Sequence, residues 1–139
     1  MAKSPLEVLR GRTLLLVEDE YIVAADLAIR LEDVGAEIVG SAGSVEEALE
    51  LVQSQGGRLD GAVLDVNLAG QRVYPVADAL MAKGVPFVLT TGYDASSIDI
   101  KYAGVPRCEK PVDPAALARS LTTIFSEFSS LAAQVSQHP

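Results

Sequence analysis

The stretch LLLVED at residues 14–19 decides the fold of this 139-residue chain. A row of four apolar residues followed by two acids is typical of a short buried strand. Residues 20–34 follow at once with apolar side chains at helical spacing, and Gly35 marks the end of that helix. A buried strand followed directly by an amphipathic helix is the repeating unit of an α/β domain.

The same alternation continues along the rest of the chain. Helices are predicted from the capping pair Ser44 and Glu47 to about 55, from about Pro75 to 84, and from the cap Asp113 onward. The alternation predicts an α/β fold with a doubly wound, five-stranded parallel sheet of the flavodoxin-like type and strand order 2-1-3-4-5. The further strands are predicted at 37–40, 61–65, 86–90 and 107–110.

The segment 94–104 does not fit this alternation well. It holds two serines, two aspartates and little apolar periodicity, so it predicts only a short or unstable fourth helix. The last helix carries apolar residues every three or four positions as far as 135. Its first part is expected to cover the sheet.

Composition and charge narrow the classes of protein. The formal net charge is −8 and the basic residues form no cluster, which argues against nucleic-acid binding and favours cation binding. The sequence has no long uncharged apolar span and no signal-peptide pattern, so neither a membrane span nor export is predicted. The single cysteine, Cys108, fits a reducing compartment. We therefore expect a cytoplasmic protein.

Polar residues stand where the predicted strands of the central sheet end. Glu18 and Asp19 follow the first strand, Asp65 ends the third, Thr91 follows the fourth, and Lys110 ends the fifth. The carboxyl ends of parallel strands meet at one edge, and ligands bind where strand order reverses, here between strands one and three. Taken singly, each residue has an ordinary explanation, such as an acid at a helix N-terminus or a surface lysine.

Together these residues predict a site for magnesium and a phosphoryl group. Asp19 and Asp65 offer carboxylate oxygens suited to Mg²⁺, with the carbonyl of Asn67 and a water held by Glu18 as supplements. An aspartate carboxylate can attack phosphorus and form an acyl phosphate, while Mg²⁺ and Lys110 neutralise charge. Repulsion among the clustered acids should raise the pKa of one of them.

Four motifs resemble the receiver domain of two-component response regulators, the CheY-like family. They are VEDE at 17–20, LDVN at 64–67, TG at 91–92 and KP at 110–111. The resemblance covers about 13–128, which is then the receiver domain. Residues 1–12 are expected to form an N-terminal extension, and 129–139 the end of the last helix and a tail.

The resemblance also implies a role for each site residue. Asp65 would be the phosphoacceptor, and Asp19, Asp65 and the backbone carbonyl of Asn67 would bind Mg²⁺, with Glu18 assisting. It implies further that Thr91 hydrogen-bonds the phosphoryl group, that Lys110 pairs with it, and that the peptide bond before Pro111 is cis.

A narrower resemblance lies in PFVLTTGY at 86–93, which is similar to the PFxFATGY signature of the FAT GUY regulators. Leu89 and Thr90 replace the Phe and Ala of that signature. The resemblance implies a regulator without an output domain, a kinase partner of the HWE or HisKA2 type, and a poorly formed fourth helix. Arg107 occupies the position of the aromatic switch residue of ordinary receivers. Tyr93 is either its substitute or an ordinary tyrosine at a strand exit.

The function expected from these residues is that of a signalling domain and not of an enzyme. A stand-alone receiver would take a phosphoryl group on Asp65 from a histidine kinase or a phosphotransfer protein. It would then act through protein–protein interaction or as a phosphate sink. One alternative is a pseudo-receiver that binds partners without phosphorylation. Another is a haloacid-dehalogenase-like phosphatase, although its nucleophile follows the first strand in a DxD motif and Asp65 ends the third.

Overall fold

The computed structural model describes residues 8–92 and 98–136, with side chains as far as 127. The predicted N-terminal extension and the tail therefore lie largely outside the described residues. Five strands form the central sheet: β1 (Thr13–Val17), β2 (Glu37–Ala42), β3 (Gly61–Asp65), β4 (Phe87–Thr91) and β5 (Arg107–Glu109). Four helices connect or follow them: α1 (Tyr21–Asp33), α2 (Val45–Gln55), α3 (Tyr74–Ala82) and α4 (Pro114–Ser136).

The sheet is parallel throughout and its strands lie in the order β2-β1-β3-β4-β5. This confirms the predicted doubly wound α/β fold. The central strands β3 and β4 are buried along their whole length because helices cover both faces of the sheet. Alternate strand residues point to opposite faces, which gives two apolar layers. Leu15, Val17, Leu64 and Leu89 pack under α2 and α3, and Leu14, Leu16, Val63 and Val88 pack under α1 and α4.

Local signals in the sequence set most helix ends. The hydroxyl of Ser44 accepts a hydrogen bond from the backbone N–H of Glu47 at 3.1 Å, and α2 begins directly after Ser44. Gly35 takes a φ of +98° where α1 ends. Asp113 accepts the backbone N–H of Ala115 at 3.2 Å at the start of α4. The strand β2 runs two residues further than predicted because it pairs with β1 as far as Ala42.

Residues 67–72, directly after β3 and Val66, are polar apart from Leu68, Ala69 and Gly70. They form an antiparallel hairpin in which Asn67–Leu68 pairs with Gln71–Arg72. Ala69 and Gly70 make the turn with φ values of +49° and +91°, the positive values that a tight hairpin turn requires. We call residues 67–72 the site hairpin, because it lies directly after Asp65.

Residues 98–104, the described part of the segment 94–104, contain one 3₁₀ turn, Ile100–Tyr102. Tyr102 stacks on Tyr74 of α3 with ring centroids 4.7 Å apart, and its hydroxyl donates to the carboxylate of Asp78. Lys101 also pairs with Asp78, at 2.9 Å. These contacts hold the turn against α3. Within the part of the chain that the structure describes, no helix combines the length and apolarity needed to cross a membrane.

Candidate functional site

The polar residues predicted at the strand ends lie at one edge of the sheet. Glu18 follows β1, Asp65 is the last residue of β3, Thr91 is the last of β4, and Lys110 follows β5. Backbone hydrogen bonds extend the sheet to this edge, including the one from the N–H of Lys110 to the carbonyl of Thr91 at 2.7 Å. The fold therefore gathers residues that are up to 92 positions apart in sequence.

The acids form a compact cluster. One carboxylate oxygen from each of Glu18, Asp19 and Asp65 lies within 4.8 Å of the others. Glu18 and Asp65 are buried, with 4% and 3% of their surface exposed, whereas Asp19 is exposed. Burying two carboxylates is costly unless a cation or hydrogen-bond donors compensate.

Lys110 supplies that compensation. Its ammonium nitrogen lies 2.7 Å from Oδ2 of Asp65 and 3.0 Å from Oε1 of Glu18. Burial opposes the positive charge of Lys110, but the hydrogen bonds to Asp65 and Glu18 outweigh it and raise the pKa of the lysine above its usual value. Lys110 is thus a fixed positive charge directly beside the carboxylate of Asp65.

The pKa of Glu18 is raised well above its ordinary value. Burial of its side chain is the main cause that raises its pKa from 4.5 to about 8, and the hydrogen bond and negative charge of Asp65 add to the shift. Lys110 acts in the opposite direction but does not cancel it. The predicted rise in the pKa of one acid is found, but its main cause is burial and not repulsion among the acids.

The hydroxyl of Thr91 is unusual among the described residues. Thr91 is only 3% exposed, and its Oγ1 has no hydrogen-bond partner in the described part of the chain. A buried hydroxyl without a partner costs free energy, a cost that a bound acceptor group would relieve. Of the two switch candidates, Arg107 is exposed at the start of β5, and Tyr93 lies outside the described residues.

The site hairpin contributes backbone donors that the sequence analysis missed. The N–H of Asn67 donates to Oδ1 of Asp65 at 3.1 Å, and the N–H of Ala69 donates to Oδ2 of Asp19 at 3.0 Å. The N–H of Gly70 donates to the side-chain oxygen of Asn67 at 3.0 Å. Only Gly70, which readily adopts the positive φ of a tight turn, could have suggested the hairpin from sequence.

The donor set suits a hard divalent cation. Carboxylate oxygens from Asp19 and Asp65 converge with that of Glu18, and Mg²⁺ binds through one or two carboxylates while it keeps several waters. Asp19 and Asp65 are the residues that would hold the ion, because Lys110 binds both oxygens of Glu18 but only Oδ2 of Asp65. The Lys110–Pro111 peptide bond beside the site is cis.

Fold and site together define a class: a doubly wound α/β domain with an acid cluster and a lysine at the point where strand order reverses. No protein-family model matches the sequence. Among solved structures, the chain is similar to SdrG from Sphingomonas melonis Fr1, with 36% identity and a TM-score of 0.70. That match covers 86% of this chain and 96% of SdrG.

The chain is also similar to two further proteins. A response regulator receiver protein from Sinorhizobium medicae WSM419 shares 25% identity and a TM-score of 0.73, over 86% of this chain and 98% of that one. The transcriptional regulatory protein PdtaR of Mycobacterium tuberculosis is 34% identical over 83 residues, 59% of this chain. The chain spans 40% of the length of PdtaR. The chain belongs to the response regulator receiver family.

Proposed function

We propose that this receiver accepts a phosphoryl group on Asp65, with Mg²⁺ bound by Asp19 and Asp65, from a histidine kinase or a phosphotransfer protein. The observation that carries the proposal is the ammonium group of Lys110, 2.7 Å from the buried carboxylate of Asp65 and next to the acid cluster. A buried carboxylate beside one fixed positive charge and a second site for a cation suits phosphoryl transfer.

The transfer step needs little more than these groups. A carboxylate oxygen of Asp65 forms a bond to phosphorus while the phosphorus–nitrogen bond of the donor's phosphohistidine breaks, and the imidazole nitrogen keeps the electron pair. Bound Mg²⁺ would neutralise charge on the transferring group. Lys110 balances the negative charge beside the carboxylate of Asp65. The N–H of Asn67 holds this attacking carboxylate in place.

The proposed readout of phosphorylation starts at Thr91. A phosphoryl group brings strong acceptor oxygens, and the hydroxyl of Thr91 has no competing partner among the described residues. A hydrogen bond to the new group would move the end of β4 and the segment after it. A protein partner would recognise this moved segment, or the domain would act as a phosphate sink. Membership of the FAT GUY subgroup and a partner of the HWE or HisKA2 type stay predictions.

Phosphotransfer profiling tests this function directly. Histidine kinases of the source organism, phosphorylated in advance, are incubated with the protein in the presence of Mg²⁺. We expect at least one kinase to lose its label to the protein and chelation of Mg²⁺ to stop the transfer. A protein that takes label neither from these kinases nor from acetyl phosphate would instead support the pseudo-receiver alternative.

Mg²⁺ should stabilise the folded protein through Asp19. A ligand that binds only the folded state adds about 2.7 kcal/mol to the free energy of unfolding at a hundredfold excess over its dissociation constant. Millimolar Mg²⁺ should therefore raise the melting temperature, and Asp19→Asn should remove most of that rise. Asp26→Asn is the matched control because Asp26 is an exposed acid on α1, outside the cluster. Equal melting curves with Mg²⁺ and with chelator would contradict the metal site.

Thr91→Val should stabilise the unphosphorylated protein while it blunts the response to phosphorylation. Valine keeps the shape of threonine and removes the buried hydroxyl without a partner, so we expect a gain of about 1 kcal/mol in chemical denaturation. Hydrogen exchange should then change less on addition of beryllofluoride than in the unmodified protein. Thr122→Val is the control, because the hydroxyl of Thr122 donates to the carbonyl of Ala118 at 2.8 Å and its removal should bring no gain. A loss of stability in Thr91→Val would show that its hydroxyl is bonded.

A further inference from the structure

Ala69 adopts a backbone conformation that is unfavourable for alanine. Its φ is +49°, and it is the one residue other than glycine with a positive φ in the described ranges 8–92 and 98–136. The Cβ atom of an L-residue makes this left-handed region costly, a cost that glycine avoids. Such a conformation persists only where the surrounding structure holds it.

The surrounding structure holds the site hairpin firmly. Leu68 is 2% exposed and packs in the apolar layer that also contains Val66 and Val73. The N–H of Val73 donates to the carbonyl of Val66 at 2.9 Å and closes the base of the hairpin. The turn is therefore a rigid extension of the core next to the acid cluster.

This geometry directs the N–H of Ala69 at Oδ2 of Asp19, at a distance of 3.0 Å and across 50 positions of sequence. Asp19 is exposed, so its carboxylate would otherwise sample several rotamers. The hydrogen bond fixes one oxygen and leaves the other for a ligand. A hydrogen bond from a backbone donor to a metal-binding carboxylate typically orients it and strengthens metal binding.

We infer that Ala69 is a positioning residue for the cation site: its backbone N–H orients Asp19 before Mg²⁺ arrives, and the strained φ of Ala69 is what aims that N–H. The inference rests on the proposed function, because it assumes that Asp19 binds Mg²⁺. It goes further in assigning the affinity for Mg²⁺ partly to a backbone group of the site hairpin. The contrasting view is that the hydrogen bond only ties the hairpin to the loop after β1.

The sharpest test replaces this one N–H by an oxygen atom. Ala69 is replaced by its α-hydroxy acid analogue through nonsense suppression, which turns the amide into an ester and keeps the methyl group. Ala69→Gly is the matched control, since glycine keeps the N–H and accepts the positive φ. Circular dichroism and melting without Mg²⁺ establish that each variant is folded.

Mg²⁺ affinity is measured by titration calorimetry on each folded protein. We expect the ester to bind Mg²⁺ about tenfold more weakly or worse, on the scale seen when an outer partner of a metal ligand is lost. The Mg²⁺ affinity of Ala69→Gly should stay within about twofold of that of the unmodified protein, because its outer hydrogen bond is kept. Equal affinity of the ester and the unmodified protein would overturn the inference and leave the proposed function standing. No Mg²⁺ binding by the unmodified protein would overturn both.

Discussion

Asp65→Asn should abolish phosphoryl uptake from acetyl phosphate. The amide of asparagine keeps the size of the side chain but lacks the nucleophilic carboxylate, and a covalent acyl phosphate needs that carboxylate. Removing the nucleophile of a covalent step lowers the rate by roughly a thousandfold or more. The unmodified protein should gain the mass of one phosphoryl group that is labile to base and to hydroxylamine, and the Asp65→Asn protein should gain none.

The environment of Asp65 explains why another acid should not take over. Asp65 accepts two hydrogen bonds, one from the ammonium group of Lys110 at 2.7 Å and one from the backbone N–H of Asn67 at 3.1 Å. Glu18 shares Lys110, but burial raises the pKa of its carboxyl to about 8, and a protonated carboxyl is a poor nucleophile. Asp26→Asn, an exposed acid on α1, is the control and should label at the full rate. An Asp65→Asn protein that labels as fast as this control would disprove the assignment of Asp65.

Much of this site was predictable because its residues stand at the ends of strands. A run such as 14–17 is recognisably a buried strand, and the residue after it must lie at the carboxyl edge of a parallel sheet. Glu18, Asp65, Thr91 and Lys110 could therefore be placed at one edge from chain order alone. Helix ends were predictable for the same local reason, as at Ser44, where a single side chain caps the helix.

Contacts between distant segments were not predictable in this way. Strands of two residues, as in the site hairpin, are too short to show a period in sequence. The stack of Tyr74 on Tyr102 joins α3 to the turn after β4 and leaves no local signal. The bond from Ala69 to Asp19 depends on a backbone conformation that alanine rarely adopts. Each of these features is fixed by tertiary packing and not by the neighbouring residues.

The stability of the metal-free protein should fall as pH rises, and Glu18 should be a main cause. The pKa of Glu18 is raised from 4.5 to about 8 in the folded protein, chiefly by burial. Between these values the folded state keeps a proton that the unfolded state has released. The stabilisation from Glu18 is therefore complete below pH 4.5 and is lost as pH rises through about 8.

The free energy of unfolding of the unmodified protein and of Glu18→Gln should be compared from pH 5 to pH 9 in the presence of chelator. Glutamine cannot titrate, so the variant should gain stability relative to the unmodified protein by roughly 1 kcal/mol per pH unit, or a few kcal/mol in all. Groups that do not interact with Glu18 titrate alike in both proteins and cancel in the difference. Glu32→Gln, an exposed position on α1, should give a nearly flat difference. Added Mg²⁺ should make the stability of the unmodified protein depend less on pH, because a cation favours the charged carboxylate.

Parallel curves for Glu18→Gln and the unmodified protein without Mg²⁺ would show that Glu18 is already ionised in the folded protein. Lys110, at 3.0 Å, would then be the group that keeps it ionised.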